Sequence, residues 1–188
     1  MELLLIRHSI TAGNEKKQYI GATDQPLSEA GRQLAQTKHY PKPEKLWVSP
    51  MLRCRQTAEL LFPDVTQVVV PELRECDFGT FEGKTWEQLR EEPVYQAWMD
   101  GDRTITFPEG ESLVSFFARC QKGMERVAEQ AQGIGCGAVV THGGTIMAIL
   151  EQYGVPKAPF YHWQVGNCGG FRVQVEQPLQ LNSLEKFS

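Results

Sequence analysis

The chain has 188 residues, 41% of them hydrophobic and 22% charged, with a formal net charge of −4 at pH 7. That composition suits one globular domain with a sizeable core. Without a clustered basic stretch it does not read as a nucleic-acid binder, and apolar runs such as Leu3–Ile6 and Val68–Val70 are too short to span a bilayer. No basic stretch precedes a long apolar region at the N-terminus, so no signal peptide is read and the expected location is the cytoplasm. The cysteines, Cys54, Cys76, Cys120, Cys136 and Cys168, are odd in number and form no Cys-x-x-Cys pair. Reduced, buried thiols are therefore expected.

Taken in chain order, residues 2–6 read as a buried strand. Ser28 is suited to cap a helix over about 29–38, with Glu29 in its first turn and Pro41 and Pro43 beyond its end. Residues 46–48 form a second strand candidate, 52–61 a helix, and the β-branched run at 66–70 a third strand. The segment at about 84–102 is helical but polar, with Trp86, Tyr95 and Trp98, and reads as a lid over the sheet. After Pro108-Glu109-Gly110, apolar residues from Leu113 to Ala131 recur at helical spacing, and Gly133 and Gly135 stop the helix. A strand at 137–141, a helix at 145–153 and an alternating final strand at 171–175 complete the pattern. Strands interleaved with helices define an α/β layered fold occupying residues 1–188.

In open α/β sheets ligands bind beyond the carboxyl ends of strands. Arg7 and His8 follow the first strand, Arg53 opens the helix after the second, Glu75 follows the third, and His142 follows the strand at 137–141. A lone histidine at a strand end is more often structural, and an isolated arginine is usually a solvated charge. Five such residues at equivalent places are another matter. Two guanidinium forks bind phosphate oxygens at any working pH. A neutral imidazole can attack phosphorus, a second can help stabilise the equatorial charge, and a glutamate can protonate the departing alkoxide. No carboxylate cluster or His/Asp ligand set calls for a metal, and no cofactor is expected. Two further patterns are set aside. Gly79 to Thr85 resembles a Walker A loop but has three residues between its glycines instead of four, and Asp77-Phe78-Gly79 lacks the other kinase motifs.

Six segments in order, LLLIRHSITAGN, GATDQPLSEAG, SPMLRCRQTA, ELRECDFGTFEG, FPEGES and VVTHGG, resemble the signature of the histidine phosphatase, or phosphoglycerate mutase-like, superfamily, and cover most of residues 2–145. The resemblance implies a three-layer α/β/α sandwich with a mostly parallel sheet. It implies His8 as phosphorylated nucleophile, Arg7, Arg53 and His142 as the rest of the phosphate pocket, Asn14 as an added hydrogen bond and Glu75 as proton donor. Gly21 and Thr23 fall where the family lines its pocket with a loop. The short lid and FPEGES look most like the α-ribazole-5′-phosphate phosphatase branch, so the expected partner is a small phosphomonoester, such as a sugar or nucleoside-like phosphate. A phosphoglycerate mutase and a non-catalytic phospho-ligand binder are the alternatives, the latter set against the presence of both His8 and Glu75. Two departures stand out: Ser9 replaces the family's Gly, and residues 162–170 differ from the expected pattern.

Overall fold

The computed structural model describes residues Met1–Ser188. Six strands form one sheet: β1 (Glu2–Arg7), β2 (Lys45–Val48), β3 (Gln67–Val69), β4 (Cys136–Thr141), β5 (Gly170–Glu176) and β6 (Gln180–Phe187). Their spatial order is β3-β2-β4-β1-β5-β6. The first four run parallel, with Leu5 opposite Val139 and Trp47 also opposite Val139 from the other side. β5 runs antiparallel to β1 and β6 antiparallel to β5. The helices are α1 (Ala12–Glu15), α2 (Glu29–Gln36), α3 (Leu52–Leu61), α4 (Trp86–Leu89), α5 (Pro93–Met99), α6 (Leu113–Gln130) and α7 (Gly143–Tyr153).

The pleat explains why the central strands read as continuous apolar runs. Alternate side chains leave opposite faces. Leu3 and Leu5 enter one core with Val139, Met124 and Ile149, under α6 and α7. Leu4 and Ile6 enter the other with Val140, Cys54 and Ala58, under α3. A parallel strand covered on both sides must be apolar at every position. The three layers expected of the fold class follow from this burial.

Three elements differ from the sequence reading. The strand at 171–175 is not the last, because β6 pairs with it as an edge strand. Only Leu181 of β6 is buried, so its residues carry little apolar pattern, as befits a protected edge. The helix expected at 145 begins two residues earlier, on the two glycines after His142. The lid segment is two short helices, the second opening with Pro93 at its first turn, where the missing N–H costs nothing. Trp98 of α5 packs edge-on against Phe107 with ring centroids 5.0 Å apart, while Trp86 is half exposed.

The parallel strands deliver their carboxyl ends to one edge. β5, running the other way, brings its leading loop to that same edge.

Candidate active site

His8 immediately follows β1 and is 5% exposed. Its Nδ1 lies 2.6 Å from the Ser9 carbonyl, which can only accept, so Nδ1 carries the proton and Nε2 keeps its lone pair. Burial, then the nearby charges of Arg53 and Arg7, holds its pKa well below that of a free imidazole. Ser9 itself is fully buried and is not at positive φ. Its hydroxyl donates to the Gly31 carbonyl at 2.7 Å and its N–H to Thr57 Oγ1 at 2.9 Å. The side chain that replaces glycine thus anchors the His8 turn to α2 and α3.

His142 caps the end of β4, with its ring 5.2 Å from that of His8 in an edge-on arrangement. Arg53 Nε donates to its Nδ1 at 3.3 Å, which leaves Nε2 to donate to Ser49 Oγ at 2.7 Å. Burial, then Arg53, holds its pKa well below that of a free imidazole as well. Cys54 lies beside it with Sγ 3.4 Å from Nε2; burial pushes that thiol up to about 12, so it packs as a thiol.

The two arginines play unlike parts. Arg7 Nη1 donates to the Val165 carbonyl at 2.7 Å, and its buried Nε has no partner. A buried guanidinium donor left open is costly unless something fills it. Arg53, fully buried in the first turn of α3, sends Nη1 to the Thr23 carbonyl at 3.0 Å and Nη2 to the Gly21 carbonyl at 2.8 Å. Gly21 and Thr23 therefore hold Arg53 through their backbones and do not border the cavity. Their loop is clasped by Glu82, which accepts from the N–H groups of Ala22 (2.6 Å) and Thr23 (2.7 Å) and from the Thr23 hydroxyl. Gly21 has no alternative here, since a Cβ would run into the Cys76 carbonyl.

Glu75 is 8% exposed, and its carboxylate accepts from Gly144 N at 2.9 Å and Cys76 N at 3.1 Å. Burial raises its pKa, outweighing those two N–H groups and the arginines. A Cβ on Gly144 would stand 2.5 Å from Glu75 Oε1, so the start of α7 must be glycine for the acid to sit there.

Two joined compartments open above these groups. The polar one, about 450 Å³, is bordered by Arg7, His8, Asn14, Glu75 and Asn167. The other, about 230 Å³, is bordered by Phe78, Trp98, Phe116, Met147 and Phe160, and Glu75 and Gly144 border both. Arg103, at the apolar end, pairs with Glu151 at 2.9 Å and lies over the rings of Phe117 and Phe160. No group of three or more His, Cys, Asp and Glu side chains is arranged to hold a metal ion.

Of the residues singled out in the sequence, Arg7, His8, Asn14 and Glu75 border the polar compartment. Arg53 and His142 lie beneath it, wholly buried and bonded to one another. Sequence reasoning missed Asn167, whose Nδ2 donates to the His8 carbonyl at 3.0 Å and to Asn14 Oδ1 at 3.3 Å. A polar residue set among Gly166, Gly169 and Gly170 just before a strand was the available signal. Ser49 and Thr57 carried none, because a buried hydroxyl looks like any other.

An α/β sandwich that gathers two neutral imidazoles, two arginines and a buried carboxyl at the carboxyl edge of its sheet defines a phosphoryl-transfer site of the phosphohistidine type. The family model of the histidine phosphatase superfamily (branch 1) matches residues 3–179, and the chain belongs to that family. It is 28% identical over 176 residues to the adenosylcobalamin/α-ribazole phosphatase of Salmonella typhimurium, covering 88% of this chain and 86% of that one. The crystal structure of a candidate α-ribazole-5′-P phosphatase from Escherichia coli K-12 superposes with a TM-score of 0.87 at 25% identity, covering 100% of this chain and 96% of that one. A phosphoglycerate mutase structure from Thermus thermophilus superposes with a TM-score of 0.76 at 30% identity, covering 100% and 99%. No helix is long and apolar enough to cross a membrane.

Proposed function

We propose that this histidine phosphatase hydrolyses a small sugar or nucleoside-like phosphomonoester, such as α-ribazole 5′-phosphate, through a phosphohistidine on His8. The observation that carries the reading is the fixed tautomer of His8: its Nδ1 proton is committed to Ser9, so Nε2 offers a lone pair beside the unpartnered Nε of Arg7. In the first step His8 Nε2 bonds to phosphorus as the ester P–O bond breaks, and the Glu75 carboxylic acid protonates the leaving oxygen. In the second, the Glu75 carboxylate takes a proton from water, whose oxygen bonds to phosphorus while the P–N electrons return to Nε2. Arg7 binds the phosphoryl oxygens, Asn14 adds a hydrogen bond, and Arg53 supplies fixed positive potential from beneath, with the uncharged His142 ring packed against it.

The choice of alcohol rests on the second compartment. Its aromatic walls suit a planar leaving group, and its arginine is already paired with Glu151. A phosphoglycerate mutase must hold a carboxylate, which the mainly apolar walls of that compartment suit less well than a planar alcohol, although Lys17 borders the polar one. The five unpaired cysteines fit a reducing compartment such as the cytoplasm.

The test is to trap the intermediate. Labelled substrate quenched in alkali or denaturant, because phosphoramidates are acid-labile, should leave label on His8, and His8→Ala should fold yet lose label and turnover. Label on Ser9, or full activity of His8→Ala, would overturn the reading. Release of phosphate from α-ribazole 5′-phosphate, without interconversion of 3-phosphoglycerate in the presence of its bisphosphate primer, separates the phosphatase from the mutase.

A further inference from the structure

Glu75 sits on a stretch, residues 74–78, that belongs to no helix or strand, so no backbone ladder fixes it. A general acid nevertheless needs its carboxyl held to a fraction of an ångström. Side chains supply what the ladder does not. The Leu73 carbonyl accepts from Thr141 Oγ1 at 2.8 Å and the Arg74 carbonyl from Thr145 Oγ1 at 3.2 Å. Three more bonds come from one guanidinium on α6. Arg119 Nη1 donates to the carbonyls of Glu72 (2.9 Å) and Arg74 (2.7 Å), and Nη2 to that of Glu75 (3.2 Å).

The rest of the fork is locked onto Glu111, with Nε 3.0 Å from Oε1 and Nη2 2.6 Å from Oε2. All five guanidinium N–H donors are thereby used. Glu111 closes the clasp on the far side of Glu75: its N–H donates to the Asp77 carbonyl at 2.9 Å, and its Oε2 accepts from Asp77 N at 3.4 Å. The side chains of Arg119 and Glu111 are 11% and 10% exposed, so water competes little for these bonds.

We infer that Arg119, oriented by Glu111, is the positioning residue that aims the Glu75 carboxyl at the leaving-group oxygen. The assignment rests on Glu75 being the general acid. Arg119 acts through the backbone: it touches the Glu75 carbonyl, its charge is answered by Glu111, and the carboxylate itself is bonded by Gly144 and Cys76. A lysine keeps the charge but cannot span three carbonyls and a carboxylate, because its ammonium is a single point with three donors.

The experiment compares an alkyl phosphate, whose alkoxide needs a proton, with p-nitrophenyl phosphate, whose leaving group needs little. Arg119→Lys should lower kcat/KM for the alkyl ester about 10–100-fold, with kcat/KM for p-nitrophenyl phosphate, which does not include the shared dephosphorylation step, little changed. In a Glu75→Gln background the same substitution should add no further loss, which a purely structural role would not reproduce. Equal losses on both substrates, or losses that multiply in the double variant, overturn the assignment. If Arg119→Lys does not fold, Glu111→Gln is read by the same criteria. Should Glu75→Gln alone show no leaving-group dependence, it is the acid assignment that fails; a split there without one in Arg119→Lys rejects the positioning role alone.

Discussion

At His8 the ring proton is committed to the Ser9 carbonyl, and the reacting nitrogen stays free only while burial and two arginines oppose protonation. In the proposed mechanism Glu75 carries the opposite demand, since it would enter the reaction protonated, and burial raises its pKa. Turnover should therefore fall on the acid side as His8 takes up a proton below its usual range near 6.5, and on the alkaline side as Glu75 loses one. In Glu75→Gln the alkaline limb should vanish from the kcat/KM profile for an alkyl phosphate, and turnover of that ester should drop about 10²–10⁴-fold. An alkaline limb that survives the substitution assigns that proton to another group. Gly144→Ala probes the same carboxyl from the helix side. The added methyl would press on Oε1, and about a 10–100-fold loss in kcat on alkyl esters is expected from a displacement near 1 Å.

Among the elements, α5 borders the compartment proposed to take the departing alcohol. Trp98 of α5 borders the apolar compartment and leans on Phe107, so Trp98→Ala removes an aromatic wall. KM for phosphates of aromatic alcohols should rise about 2–10-fold, the scale of one ring pair, while KM for methyl phosphate barely moves. A matching rise for both would make Trp98 a general support of the fold. Helix α6 and the parallel strands were legible in the sequence because burial on a defined face leaves a period: Leu113, Phe116, Cys120, Met124 and Val127 face one core. β6 was not, because an edge strand with one buried residue has no apolar face to display. The site was legible to the same degree. Charged residues after apolar runs stand out, so Arg7, His8, Arg53, Glu75 and His142 could be picked from the chain. The backbone carbonyls of Gly21 and Thr23, and the arrival of Asn167 from 153 residues beyond Asn14, are products of folding that no local pattern encodes.

For the whole molecule, the absence of a converging ligand set predicts that hydrolysis continues in excess EDTA. Loss of activity on chelation with recovery in Mg²⁺ or Zn²⁺ would show that a metal takes part. The reversed direction of β5 bears on synthesis as well as on catalysis. The loop ahead of it supplies the Val165 carbonyl to Arg7 and the Asn167 amide to His8, and the N–H of Cys168 donates to the Arg7 carbonyl at 3.0 Å. A nascent chain that has exposed residues 1–160 outside the ribosome thus holds His8 and Glu75, the proposed nucleophile and acid, while the wall around them is still in the exit tunnel. Such arrested chains should release no phosphate and acquire no label on His8, and activity should switch on only once β5 has emerged to pair with β1. On that expectation the proposed nucleophile waits, without turnover, for a strand translated long after it.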